Sequence, residues 1–116
     1  MSGRTVRVDI LARRDCPSRE LAISIVDEAI FGTGVPARVE VVDVVTLAQA
    51  QRRKFLGSPT VRVDGRDVDP WAEGRSDYSL SCRIYRTERG LAGAPDVSWI
   101  RAALLRAAEL SAPTGS

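Results

Sequence analysis

Two cysteines, Cys16 and Cys82, are the residues of this chain best suited to covalent chemistry. Cys16 follows a strand-like run, residues 6–12, and precedes a helix-like run that extends from Ser18 to Phe31. The aligned peptide dipoles and free N–H groups at the start of a helix favour a thiolate, the reactive form, over a thiol. We therefore expect Cys16 to be a nucleophile.

Arginine side chains flank Cys16 in the sequence. Arg19 falls one helical turn after it, and Arg13 and Arg14 precede it. A guanidinium adds a permanent positive charge near a thiolate and can clamp an oxyanion or a carboxylate. Asp15 opposes this field, so the sequence leaves two interpretations, an electropositive thiol site or a solvated loop.

Cys82 also has two interpretations. If residues 69–94 fold back over the first helix, Cys82 can resolve a mixed disulfide on Cys16, and a bridge closing so long a loop would stabilise the fold by about 4 kcal/mol. Alternatively, Cys82 is a small buried hydrophobic residue in the alternation of Leu80, Cys82 and Ile84.

The composition excludes several classes of function. The chain has no histidine, which removes the commonest general base and any histidine-containing metal site. For the leading hypothesis below, we expect neither a metal nor a cofactor. Its 17 basic and 15 acidic residues are interspersed, which argues against nucleic acid as a partner. Without a long apolar run or a secretory leader, we expect no membrane partner and a cytoplasmic location, where cysteines remain thiols.

The length of 116 residues predicts a single domain, 1–116, with one site. Within it, residues 69–94 form a long connecting segment with one strand-like stretch at 82–86, and long connections are often functional. Residues 111–116 are small and polar, and they are predicted to form a flexible tail.

The hydrophobic pattern predicts an α/β fold. Residues 6–10 alternate as a strand, the following segment is apolar at helical spacing, and residues 37–45 are rich in β-branched side chains, as in a strand buried on both faces. Thr46 is a helix N-cap, and Gly57 is expected to end that short helix.

Two further strands and a helix are predicted in the second half of the chain. Residues 60–63 and 66–68 flank Asp64-Gly65, a pair that favours a tight antiparallel hairpin. Asp64, Asp67 and Asp69 are expected to be solvated. Pro95-Asp96 precedes a third helix with an apolar stripe.

The element order β-α-β-α-β-β-α, with Cys16-Pro17 at the first strand–helix junction and Gly57-Ser58-Pro59-Thr60 before the third strand, resembles the thioredoxin-like superfamily. The amino-acid sequence of residues 55–67 and 81–85 is similar to that of small, largely uncharacterised bacterial thioredoxin-family proteins. The resemblance implies a central mixed four-stranded sheet of order 2-1-3-4 flanked by three helices. It also implies that strands three and four oppose the first two and that Pro59 is cis.

By the same resemblance, Ser58-Pro59 would pack beside Cys16 and align an incoming thiol or disulfide. The motif departs from the family at Cys16-Pro17-Ser18-Arg19, because the dithiol pattern C-x-x-C has a cysteine where Arg19 stands. The residues alone leave a second interpretation of Pro59, an ordinary turn proline without catalytic contact.

The leading hypothesis is a thiol-dependent redox protein, similar to a thiol–disulfide oxidoreductase. The expected partner is a thiol- or disulfide-containing substrate: the Cys16 thiolate attacks it in its disulfide or oxidised form, and Cys82 or an external thiol resolves the mixed disulfide. The residues expected to bind the substrate are Pro17, Arg19, Ser58, Pro59 and Thr60. The alternatives are a non-catalytic thioredoxin-fold binding module, which contacts a protein partner or homodimerises, and a thiol site for a soft metal or an oxyanion.

Overall fold

Four strands form a mixed sheet at the centre of the fold, in the order β2-β1-β3-β4. The computed structural model describes residues 5–111, with side chains up to residue 109. The strands are β1 (Val6–Ala12), β2 (Ala37–Asp43), β3 (Thr60–Val63) and β4 (Arg66–Asp67). The helices are α1 (Arg19–Thr33), α2 (Leu47–Arg52) and α3 (Val97–Ser111). The α/β class and three helices that the sequence predicts, and the sheet order that the resemblance implies, are therefore confirmed in this part of the chain.

The strand directions differ from the expectation at β4. β1 and β2 are parallel, β3 is antiparallel to β1, and β4 is antiparallel to β3. β4 therefore runs in the same direction as β1, and the expectation that it opposes the first two strands is wrong. The cause is the predicted hairpin, since Asp64 and Gly65 both have positive φ, 50° and 83°, and reverse the chain within two residues.

The main core lies on one face of the sheet, beneath α1 and α3. Alternate residues of β1 point to this face and are fully buried, as the sequence pattern predicts. They pack against buried residues of both helices, Ala22, Val26, Ala29, Ile100 and Leu104. A smaller cluster on the opposite face joins Leu11 and Val44 to Ala50 and Phe55 around α2.

β2 is an edge strand, and the expectation that it is buried on both faces is wrong. Its only strand neighbour among residues 5–111 is β1, and Val39 and Val41 are each 37% exposed. β-branched side chains suit any pleated, half-buried surface, so their abundance here reflects strand propensity rather than a central position.

Thr46 caps α2 as predicted. Its side chain accepts a hydrogen bond from the Gln49 N–H (3.1 Å), and the Gln49 side chain accepts one from the Thr46 N–H (3.2 Å). This reciprocal pair satisfies two N–H groups that the first turn would otherwise leave free.

The end of α2 lies earlier than predicted, at Arg52 instead of Gly57. Lys54 adopts a left-handed conformation with φ 54°, and the Phe55 N–H donates to the Ala50 carbonyl at 2.8 Å. A left-handed residue with this hydrogen bond is the Schellman pattern, which commonly ends α-helices. It directs Phe55 into the smaller core cluster.

Asp96 caps α3, and we predict that Asp96→Ala lowers the free energy of unfolding by about 1 kcal/mol at pH 7. Its Oδ1 accepts hydrogen bonds from the Ser98 hydroxyl (2.6 Å) and the Ser98 N–H (2.9 Å). These bonds, the hydroxyl first, lower the pKa of Asp96 below its ordinary value. The contribution is therefore complete above the unfolded-state pKa, about 3.9, and is lost as the pH falls through the lower folded-state value.

Urea unfolding between pH 2.5 and 7 measures this contribution, and Asp96→Asn is the matched variant. An asparagine still caps the helix but does not titrate in this range, so most of the stability should remain while this part of the pH dependence disappears. Equal stability of wild type and Asp96→Ala at pH 7 would show that the cap contributes nothing.

The connection between β4 and α3 contains a second, two-stranded sheet, β5 (Tyr85–Thr87) and β6 (Gly90–Ala92). The strand-like stretch predicted at 82–86 thus becomes regular only from Tyr85. Ser111 is the last residue of α3, and the rest of the predicted tail lies outside the described residues.

Candidate functional site

Cys16 lies in the turn between β1 and α1. Its N–H donates to the Arg13 carbonyl, and its own carbonyl accepts from the Arg19 N–H, both at 3.2 Å. Ser18 is the N-cap residue of α1, so Cys16 precedes the cap by two positions. The thiol is half-buried and is not in a disulfide. The predicted position at a helix entrance is confirmed, with the thiol just outside the first turn.

The Ser58–Pro59 peptide bond is cis, as the resemblance implies. Ser58 and Pro59 are buried, and the Ser58 Oγ accepts a hydrogen bond of 3.1 Å from the Arg13 N–H. Thr60 begins β3, pairs with Leu11, and donates its hydroxyl to the Gly57 carbonyl at 2.7 Å. The cis-proline loop, residues 57–60, is therefore hydrogen-bonded to Arg13, three residues before Cys16.

Cys82 lies directly beside this loop. The Ser58 N–H donates to the Ser81 carbonyl (3.0 Å), and the Arg83 N–H donates to the Ser58 carbonyl (2.9 Å), so Ser58 and Cys82 form an isolated parallel bridge. The long segment thus folds back onto the cis-proline loop. The segment also contacts the Cys16 turn through a 3.1 Å hydrogen bond from the Arg13 guanidinium to the Leu80 carbonyl.

Cys82 is exposed and free, so its interpretation as a buried hydrophobic residue is wrong. The alternation is inverted, since Ile84 is 60% exposed whereas Arg83 and Tyr85 are 3% and 0% exposed. A buried arginine is tolerated here because two carboxylates and the Thr60 hydroxyl accept hydrogen bonds from its guanidinium.

Gly57 allows the segment and the loop to approach each other. It has φ 123°, and a Cβ built on it would lie 3.0 Å from the Arg83 Cβ and 3.1 Å from the Ser81 carbonyl oxygen. Only glycine adopts this conformation and leaves this space at low cost. Its role is therefore this close contact and not the termination of α2.

The buried guanidinium of Arg83 is bound by two carboxylates. Its Nη1 lies 2.8 Å from Asp67 Oδ2, and its Nη2 lies 3.2 Å from Asp69 Oδ2. The prediction that all three hairpin acids are solvated is thus wrong for Asp67 and Asp69, although Asp64 is exposed. The Arg83 Nη1 also donates to the Thr60 hydroxyl at 3.1 Å, which connects the network to the cis-proline loop.

Tyr85 completes this network. The Arg83 guanidinium carbon lies 4.4 Å from the centre of the Tyr85 ring, within range of a cation–π interaction. The Tyr85 hydroxyl donates to the Pro59 carbonyl, and burial raises the pKa of this hydroxyl, so it remains a neutral donor. Burial alone would lower the pKa of Arg83, but the hydrogen bond to Asp67 and the surrounding negative charges raise it. The cation is therefore permanent.

The arginines near Cys16 are all paired with carboxylates. Arg19 lies 3.3 Å from Glu20 and 3.6 Å from Asp43, Arg14 lies 3.2 Å from Asp43, and Arg13 lies 3.1 Å from Asp15. These carboxylates offset much of the positive field that the arginines alone would create. Clamping of a substrate by Arg19 or contact with the exposed Pro17 stays a prediction.

The described residues contain neither a metal-ligand cluster nor a membrane-spanning helix. No group of three or more histidine, cysteine or acidic side chains within residues 5–111 is arranged to hold a metal ion. None of the helices described here has the length and apolar character that crossing a membrane requires.

Comparisons with protein-family models, with curated proteins and with solved structures found no match. The features that bear on function are therefore the two thiols, the cis-proline loop and the buried network.

Proposed function

We propose that this chain is a thiol–disulfide exchange protein with a thioredoxin-like fold, in which Cys16 is the nucleophile and Cys82 the resolving thiol. The sheet order 2-1-3-4, the three helices and the cis-proline before β3 support the fold. The observation that carries the function is the pairing of Cys82 with Ser58, the residue whose side chain is bonded to Arg13 of the Cys16 turn.

The hydrogen bonds of Ser58 favour Cys82 over a substrate sulfur as the group that the loop aligns. The resemblance to thioredoxin-like proteins implies that the backbone at Ser58 orients an incoming thiol or disulfide. Here the N–H and carbonyl of Ser58 are bonded to Ser81 and Arg83. Cys82, from the same chain, therefore lies beside the residue that precedes the cis-proline.

The reaction then has two exchange steps. The Cys16 thiolate attacks one sulfur of the substrate disulfide, whose S–S bond breaks, and the other substrate sulfur leaves as a thiolate and takes a proton from water. The Cys82 thiolate next attacks the Cys16 sulfur, releases the second substrate thiol and leaves a Cys16–Cys82 disulfide. The substrate gains two electrons from the two cysteines, and an external dithiol must return them before the next cycle.

The residues around the thiols have holding roles in this scheme. Thr60 and Tyr85 fix the loop through its carbonyls, and Arg83 connects both of them to the carboxylates. Because this network is buried, it keeps the Cys82 segment in place while the exposed Cys82 thiol reacts. The proposed setting is the cytoplasm, where a reducing pool maintains thiols.

Single-turnover reduction of a small model disulfide, 2-hydroxyethyl disulfide, tests the proposal. Reduced wild type should convert about one disulfide per chain without added thiol, because both electrons come from its own cysteines. Cys16→Ser should abolish the reaction. Cys82→Ser should stop after the first step, with a mixed disulfide on Cys16 that is detectable by intact mass.

Ser81→Ala is the matched control, since Ser81 adjoins Cys82 and its pairing with the loop uses only its backbone carbonyl. It should reduce the model disulfide at the wild-type rate. Undiminished reduction by Cys16→Ser would overturn the proposal, and a non-catalytic binding module would give no mixed disulfide with any variant.

A further inference from the structure

The outer edge of β2 is a row of backbone groups without a strand partner among residues 5–111. The Val6 N–H donates to the Pro36 carbonyl, and the Val44 N–H donates to the Ala12 carbonyl. In a parallel ladder these bonds alternate along the strand, so the even-numbered residues of β2 bond to β1. The N–H and carbonyl groups of Ala37, Val39 and Val41 therefore point away from the sheet.

The charges of β2 are poorly matched within the chain. The register places Arg38 beside Arg7 and Glu40 beside Asp9 on one face of the sheet. Like charges directly opposite each other on neighbouring strands are destabilising. Both Arg38 and Glu40 are exposed, and Arg7 pairs along its own strand with Asp9 at 3.1 Å. A new strand added beside β2 could therefore supply the missing opposite charges.

We propose that two copies of this chain form a dimer by antiparallel pairing of their β2 strands about a two-fold axis at Val39. In this register, Arg38 stands opposite the partner's Glu40, and Glu40 stands opposite the partner's Arg38. Val39 meets the partner's Val39, and Val41 meets the partner's Ala37. The odd-numbered residues exchange their outward hydrogen bonds, and the two four-stranded sheets become one continuous sheet.

The charges select this register. In an antiparallel pair of β2 strands, residues that stand opposite each other lie on the same face of the sheet. A different register places the two-fold axis at a different residue of β2. An axis at Glu40 places it against the partner's Glu40, and an axis at Arg38 places two arginines together. The Val39 register converts both charges into cross-strand ion pairs and covers the half-exposed valines.

Charge reversal tests the proposal by sedimentation equilibrium at low ionic strength. Wild type should be a dimer, and Arg38→Glu or Glu40→Arg alone should weaken dimerisation by about 10-fold or more, because both cross-strand pairs become repulsive. A 1:1 mixture of the two single variants should form a heterodimer. The double variant, which exchanges the charges, should recover the homodimer.

Two further variants distinguish the β2 edge from other surfaces. Val39→Pro removes an outward N–H but no hydrogen bond to β1, so it should give a folded monomer. Arg86→Glu makes the same charge change at an exposed residue of β5 and should leave the dimer intact. A monomeric wild type at 100 μM, or a dimer unaffected by Arg38→Glu and Val39→Pro, would overturn the proposal. Neither result bears on the thiol reaction.

Discussion

Replacing Arg83 by methionine is expected to lower the free energy of unfolding by about 3–5 kcal/mol, because the buried Asp69 and the partly buried Asp67 would then lack their cation. The side chains of Arg83 and Asp69 are 1% and 5% exposed, so solvent cannot compensate for the missing charge. The substitution also removes the hydrogen bond to Thr60 and the contact with the Tyr85 ring. Urea unfolding at pH 7 measures the loss.

Two matched variants separate the buried charge from side-chain size. Arg86→Met makes the same change at an exposed position of β5 and should alter stability by no more than about 0.5 kcal/mol. In the Arg83→Met background, Asp67→Asn together with Asp69→Asn should restore part of the stability, because no uncompensated charge remains. If Arg83→Met is no more destabilising than Arg86→Met, the ion pairs do not contribute as the geometry indicates.

The elements that sequence analysis predicts correctly depend on neighbouring residues. Thr46 and Asp96 cap helices whose N–H groups lie two or three positions along the chain, and Asp64-Gly65 encodes its own turn. The helix entrance at Cys16 is equally local. Such signals need no knowledge of the tertiary fold, so the pattern alone specifies them.

Two of the incorrect predictions, at Cys82 and at β2, involve partners that are distant in the sequence. Leu80, Cys82 and Ile84 alternate as a buried face would, but Arg83 meets Asp67 and Asp69 from an earlier hairpin and is buried in their place. The sequence did contain a signal for this network. Asp67 and Asp69 are two positions apart, and Arg83 and Tyr85 follow with the same spacing. The edge position of β2 likewise depends on the order of strands in the sheet and not on its own residues.

The site was predictable in its parts but not in its assembly. A local motif suggests the reactive thiol at Cys16, whereas the cis bond at Pro59 is implied only by the family resemblance. The pairing of Cys82 with Ser58 depends on Gly57, whose missing Cβ lets the segment approach, and on the Arg83 network that holds it there. Because no motif spans this contact, sequence analysis leaves open whether the two cysteines act together.

Mild oxidation of the reduced protein is expected to form one intrachain disulfide between Cys16 and Cys82 and to raise the free energy of unfolding by about 4 kcal/mol. The bridge closes most of the chain between β1 and β5, which restricts the unfolded state more than a short loop would. It requires the two Cα atoms to lie within about 7 Å of each other. Urea unfolding with and without dithiothreitol measures the gain, and peptide mapping identifies the bridge.

Cys82→Ser is the control for this experiment, because it keeps Cys16 and the backbone pairing with Ser58 but cannot form the bridge. Its stability should be the same with and without dithiothreitol, and close to that of the reduced wild type. If oxidation instead links two chains, or lowers the stability of the wild type, the two thiols do not meet in the native fold. The resolving step would then fall to an external thiol, while attack by Cys16 would still be detected as a mixed disulfide in Cys82→Ser.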